Sequence, residues 1–314
     1  MWSLIARRIL IAIPTLVVVS VFVFALIHAL PGDPILVMMG EERDPEVIAR
    51  MRAIYRFDDP ILVQYVAWVG QVVQGEFGRS LRTGEPVLHL ILQKLPVTIQ
   101  LAVASMIIAV AIGLPAGIIA ARRKGTFVDY AASGVALSGL SIPNFWLGIM
   151  LILLVSVELR LLPASGYVSV FENPLEALQT TIMPAFVLGT GLAAFIMRHT
   201  RSAMLEVLRA DYVRTARAKG LSEDVVVNKH ALRNALMPVI TLSTILFGEL
   251  LAGAVLTEQV FTIPGFGKLI VDAVFNRDYG VVQGVVLCTA VGFILMNMIA
   301  DILYILVNPR LRTA

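Results

Sequence analysis

The chain has 314 residues, 58% of them hydrophobic and 15% charged, with a formal net charge of +3 and a mean hydropathy of +0.85. Soluble domains carry roughly a quarter charged residues, so this composition excludes an ordinary soluble domain and marks a membrane protein. The single cysteine, Cys288, excludes an internal disulfide, and the four histidines (His28, His89, His199, His230) lack metal-ligand spacing.

A bilayer-crossing helix needs about 20 mostly apolar residues. The first stretch to qualify runs from Ile9 to Leu30, behind Arg7 and Arg8. It exceeds the roughly 7–15 residues of a signal-peptide core, and "ALPGDP" is a poor cleavage site, so it reads as a retained span. Residues 1–30 thus form an N-terminal segment with the first transmembrane helix, and residues 31–95 an extracytoplasmic helical cap. Within the cap, Asp44-Pro45 is set to start a helix with Ile48, Met51 and Tyr55 on one face. Asp59-Pro60 is set to start a second, with Ile61, Leu62, Tyr65, Trp68, Val69 and Val72 as its apolar face. Neither is long enough to span.

Residues 96–314 form a core holding five more spans, from Val97 to Ala121, Tyr130 to Val157, Thr180 to Met197, Val239 to Thr257 and Val281 to Val307. All are rich in small residues, which let helix backbones approach in lipid. "AIGLPAGIIAA" (Ala111 to Ala121) puts Pro115 inside the second span, where a kink is expected. The class is therefore an all-α polytopic membrane protein with six transmembrane helices.

Lys and Arg set orientation. With the N-terminus inside, the cytoplasmic pieces hold Arg122, Arg123, Lys124, Arg198, Arg201, Arg209 and the basic residues up to Arg233, followed by Arg310 and Arg312. The outer pieces hold most acids, among them Asp33, Glu41, Glu42, Asp44, Asp58 and Asp59. Six spans then leave both termini in the cytoplasm.

A cytoplasmic loop of about residues 200–237 interrupts this apolar pattern. Its heart, "DYVRTARAKGLSEDVVVNKHALRNALMP" (Asp211 to Pro238), suits a helix from Arg209 to Ala218, a left-handed stop at Gly220, and a second helix from Ser222, Glu223 and Asp224 that enters the membrane at Pro238. Locked between spans, it is a poor reader of nucleic acid. Ala210, Ala216 and Ala218 permit close docking, and arginines offer planar donors to a partner's acids. It reads as a rigid knob for a cytoplasmic partner.

No G-x-x-x-x-G-K-[ST] loop is present; "GFGKLI" (Gly265 to Ile270) lacks the upstream glycine and the hydroxyl residue. No nucleophilic triad, paired carboxylates or H-E-x-x-H motif appears either. Energy for any work must come from another chain. Glu249 and Asp301, the ionisable residues within the spans, are translocation-path candidates together with Asn144 and Asn297. A stand-alone secondary transporter is the alternative, though such carriers usually show internal repeats and several buried acids.

"DYVRTARAKGL" followed by "HALRNALMP" resembles the coupling (EAA) loop of ABC-importer permeases in its dipeptide/oligopeptide/nickel form. Arg214-Thr215-Ala216 stands where the general motif has Glu-Ala-Ala, with Gly220 kept. "LPGDP" (Leu30 to Pro34), "FGRS" (Phe77 to Ser80), "SIPNFWLG" (Ser141 to Gly148), "LPASG" (Leu162 to Gly166), "MRHTRSAMLEVL" (Met197 to Leu208), "VFTIPGFGKL" (Val260 to Leu269), "RDYGVVQG" (Arg277 to Gly284) and "NPRLR" (Asn308 to Arg312) fall in the same order as in that family. The resemblance implies a type I ABC-importer permease fold in the bacterial cytoplasmic (inner) membrane. It implies a homologous second permease as heterodimer partner, two ABC ATPase subunits beneath, and an extracytoplasmic solute-binding protein above. ATP and Mg would bind the ATPases, leaving this chain without a cofactor and not catalytic by itself. Asp211, Tyr212, Arg214, Thr215, Ala216, Arg217, Ala218, Gly220 and Leu221 would couple to the ATPase, with Gly220 and the face of Ala216 and Arg217 central. The implied cargo is di- or oligopeptide, with nickel, glutathione or opines as alternatives.

Overall fold

The computed structural model describes residues 2–29, 44–46, 48–49, 52, 58–80, 82–252 and 254–307. The LPGDP and NPRLR stretches, Met51 and Tyr55 lie outside the described residues. Helices dominate: α1 Trp2–Ala29, α2 Ile61–Val73, α3 Val87–Arg122, α4 Phe127–Ser141, α5 Asn144–Leu151, α6 Pro174–Val207, α7 Asp211–Ala218, α8 Glu223–Leu251, α9 Val255–Val260, α10 Phe266–Phe275 and α11 Tyr279–Val307. The extended pairing among the described residues is one isolated bridge between Arg79 and Pro86.

Four of these helices, α3, α6, α8 and α11, are long and apolar enough to cross a membrane, and α4 with α5 would make a fifth. α1 extends over 28 residues. The third apolar run, expected as one span, is bent by 93° between α4 and α5. Pro143 causes the break: it forces Ile142 into an extended conformation (ψ 121°) and is itself extended before Asn144 restarts the helix. α3 continues through Pro115 without a break. The fifth span stops at Leu251 rather than Thr257, and α9 follows as a separate helix. Hydropathy alone does not register a helix end when the apolar run continues beyond it.

The chain forms two compact units, residues 1–96 with 265–294 and residues 97–264 with 295–314. In the first, Asp44 caps as its sequence suggests, its Oδ1 accepting from the Glu46 N–H at 2.9 Å. α2 begins after Pro60; it presents Tyr65 and Trp68 to Phe24 of α1, at ring-centroid distances of 5.4 and 5.7 Å, and leaves Ile61 and Leu62 exposed. A second cluster joins Val87, Ile91, Phe266, Val281 and Val285. It requires glycine at 284, where a Cβ would lie 2.6 Å from Val87 Cγ1. FGRS and RDYG, 198 positions apart, meet beside it: the Ser80 hydroxyl donates to Asp278 Oδ2 at 2.5 Å in a buried setting.

The second unit is built on α3 against α6. Gly113 and Gly117 allow the approach: a Cβ at 117 would sit 2.7 Å from the Met197 carbonyl oxygen, and one at 113 would sit 2.6 Å from that of Ala193. Phe261 anchors two of the sequence stretches that carried the resemblance. Its ring lies 3.1 Å from the Cβ position of Gly148, and its carbonyl accepts from the Gly166 N–H at 3.1 Å.

Candidate coupling site and cavity

The polar loop folds as helix, turn, helix, with α7 starting two residues later than expected, after a short turn at Leu208–Ala210. Gly220 holds φ +77°, the left-handed conformation that glycine adopts without a Cβ penalty. Its N–H bonds the Arg217 carbonyl at 2.9 Å. Ser222 occupies the position before α8, although its side chain makes no cap hydrogen bond. α8 widens into π-helical turns over Val226–Ala231 and then continues through Pro238.

The two faces of α7 differ sharply. Val213 and Ala216 are buried against Val226, so Ala216 packs within the chain instead of opening onto a partner. Arg217 is exposed yet pairs back onto the chain: Nη2 reaches Glu223 Oε1 at 2.7 Å, Nε reaches Oε2 at 3.0 Å, and Nη1 donates to the Leu208 carbonyl at 3.3 Å. This portion precedes the apolar span, and the hydrogen bonds hold the Glu223 carboxyl below, and the Arg217 guanidinium above, their ordinary values. The opposite face is open. Asp211 and Arg214 side chains are 95% and 80% exposed, linked by a loose 3.7 Å contact. Tyr212, Thr215, Ala218, Gly220 and Leu221 are exposed with them, and Asn234 Nδ2 donates to the Tyr212 hydroxyl at 2.7 Å.

This knob is tied to the spans. Arg122, the last residue of α3, binds Asp224 Oδ1 at 2.7 Å. Met204 of α6 is buried with Ala121, Val227, Ala231 and Ala235. One tie escaped sequence reasoning: Arg201 grips Asp129 through Nε (2.6 Å) and Nη2 (2.8 Å), while the Gly125 N–H donates to the same carboxylate at 3.0 Å. Asp129 is the buried member, 3% exposed against 29% for Arg201, so removing Arg201 would leave an uncompensated buried charge. Neighbouring acids and bases in sequence give no sign that residues 72 apart pair.

Of the path candidates, Glu249 and Asn144 line one cavity of about 450 Å³, with Gly139, Gly191, Leu188 and Thr257 among the other walls. Glu249 is exposed into it, and it makes no hydrogen bond or ion pair among the described residues. Gly191 leaves room beside Asn144, whose Oδ1 would lie 3.4 Å from a Cβ there. Asn297 is exposed on α11 away from that lining, and the Asp301 side chain lies outside the described residues. A further acid, Glu258 of α9, is fully buried and accepts from Thr98 Oγ1 at 2.8 Å. Its place just beyond an apolar run hid it. Among the described residues no His, Cys, Asp or Glu cluster is arranged to hold a metal.

Residues 113–313 match the family model of the binding-protein-dependent transport system inner membrane component, and residues 1–102 match that of its N-terminal region. The chain belongs to this family. As an ABC-importer permease of this family it is an inner-membrane component, and such a component works with an ATPase and a solute-binding protein. It is 47% identical to the di/tripeptide transport system permease protein DppB of Pseudomonas aeruginosa, over 99% of both chains. It is 44% identical to the dipeptide transport system permease protein DppB of Escherichia coli K12 and 43% identical to the oligopeptide transport system permease protein AppB of Bacillus subtilis, each over 99% of both chains. Among solved structures, an inward-facing MetNI methionine ABC transporter matches with a TM-score of 0.58 at 21% identity, covering 70% of this chain and 96% of that one. That likeness supports the all-α type I importer permease fold.

Proposed function

We propose that this chain is the permease subunit of an ATP-driven importer that moves di- or oligopeptides into the cytoplasm by alternating access. The observation that carries this reading is similarity at 43–47% identity, end to end, to relatives named as di/tripeptide, dipeptide and oligopeptide permeases. Six spans, counting α1 and the bent α4–α5 pair, put both termini in the cytoplasm. A homologous permease completes a heterodimer, and two ATPases dock beneath it.

The open face of α7 (Asp211, Tyr212, Arg214 and Thr215), with Leu221 just past the turn, is the ATPase contact in this reading. Val213, Ala216 and the Arg217–Glu223 pair act behind it, transmitting a push on α7 into α8, α6 and α3. ATP favours one state of the transporter only through differential binding to the two states, and a stiff knob passes that difference to the spans. Glu249 and Asn144 line the peptide's path: a carboxylate in a largely apolar cavity suits the ammonium end of a zwitterionic peptide.

Reconstitution of the chain with its companion permease, two ATPases and binding protein tests this proposal. ATP-dependent accumulation of labelled dipeptide is expected. Transport by the isolated chain without ATP would favour the stand-alone carrier and overturn it.

A further inference from the structure

A second cavity, of about 760 Å³, opens where the α3–α4 turn faces the coupling loop. Arg122, Arg123, Lys124, Arg209 and Arg217 line it against a single carboxylate, Glu223, while Ile119, Ala121, Leu205 and Leu208 supply apolar walls. Two of these cations are satisfied within the chain, Arg122 by Asp224 and Arg217 by Glu223. Arg123, Lys124 and Arg209 are exposed and make no ion pair or side-chain hydrogen bond among the described residues.

We infer that this cavity binds the phosphate headgroup of an anionic phospholipid of the cytoplasmic leaflet. Three cations without a hydrogen-bonded partner line one pocket, Lys124 among them only loosely compensated by Asp129, and like charges gathered this way repel unless an anion sits between them. The ligand is amphipathic because the walls are: a phosphate meets Arg123, Lys124 and Arg209, and an acyl chain lies along Ile119 and Leu205. The position agrees, since the pocket is built from the ends of α3 and α6, two of the helices able to cross the bilayer. Basic pockets between transmembrane helices on the cytoplasmic side recognise such headgroups. An acidic segment of a partner protein would answer the charge and leave the apolar walls uncovered. The inference rests on the cytoplasmic placement of the loop under the proposed function.

The reconstituted importer complex, extracted from bilayers of phosphatidylcholine with phosphatidylglycerol, provides the test through the lipid that co-purifies. With phosphatidylglycerol supplied as a minor component, it is expected severalfold enriched over its bulk fraction. The triple variant Arg123→Gln/Lys124→Gln/Arg209→Gln should lose that enrichment, and Arg209→Gln alone should lose part of it. A control removing two cations elsewhere, Arg82→Gln/Lys94→Gln, should keep it. Equal loss in the control, or no loss in the triple variant, would overturn the site. Displacement of the lipid by millimolar inorganic phosphate would overturn the lipid assignment in favour of a soluble anion. Peptide uptake is read separately on the same preparation, so its failure with phosphatidylglycerol retained would count against the transport reading and leave the site standing.

Discussion

Arg217 holds Glu223 with two hydrogen bonds, at 2.7 and 3.0 Å, across the left-handed turn at Gly220. The pair bridges α7 and α8 across that turn, and under the proposed function it would link the ATPase contact on α7 to the span behind it. Both side chains are about half exposed, 41% and 52%, so the pair contributes at most about 1 kcal/mol to stability. Its larger value is geometric. Arg217→Ala and Glu223→Ala should each leave thermal stability nearly unchanged while peptide taken up per ATP hydrolysed falls severalfold, and the double variant should be no worse than either single one. Because Glu223 is held below its ordinary value, the pair's contribution is complete above the ordinary carboxylate range and is lost only as pH falls through the lowered value. Coupling should therefore be flat between about pH 6 and 8 as far as this pair is concerned.

Asp278 accepts the buried Ser80 hydroxyl. Asp278→Ala strips a buried donor of its acceptor, at about 1–3 kcal/mol, and should lower the unfolding temperature of the detergent-solubilised protein. Asp278→Asn retains an acceptor and should cost less. Equal losses for the two variants would argue against the hydrogen bond as the cause.

Gly117 and Gly134 make a matched pair of tests. A Cβ at 117 meets Thr200 Cβ at 2.6 Å and a backbone oxygen at 2.7 Å, whereas one at 134 meets nothing within 4 Å. Gly117→Ala forces α3 and α6 apart at about 1–3 kcal/mol. Gly134→Ala should be neutral or slightly stabilising. Thermal denaturation of the two variants side by side provides the check.

Glu249 faces the 450 Å³ cavity without a partner among the described residues. Glu249→Gln keeps the shape and removes the charge. Apparent KM for a dipeptide with a free amino terminus should rise by about tenfold, a loss of about 1.4 kcal/mol, with little change in uptake of the N-acetylated peptide. Equal effects on both peptides would remove Glu249 from ammonium recognition.

Much of this architecture was legible in the sequence because it is local. Apolar length marked the long helices; Asp44 and Gly220 carried their caps and turns in their own chemistry. The break at Pro143 was present as "SIPN" yet masked by apolar residues on both sides. The helix–turn–helix shape of the polar loop was legible from its charges and Gly220, but polarity could not tell the solvent-facing Arg214 from Arg217, which pairs with Glu223, since that depends on where Glu223 returns after the turn. Asp129 with Arg201 and Thr98 with Glu258 were invisible because their partners lie 72 and 160 residues away.

Under the proposed function, the helix–glycine–helix knob carries a partner's ATP hydrolysis into the spans. Proline cannot adopt the φ of +77° found at Gly220 and lacks the N–H that bonds Arg217 there. The decisive measurement is peptide uptake and ATP hydrolysis, recorded together, for the reconstituted importer carrying Gly220→Pro. Correct assembly with ATP hydrolysis no longer accompanied by uptake is expected, and an unchanged ratio of peptide moved to ATP consumed would rule out coupling through this knob.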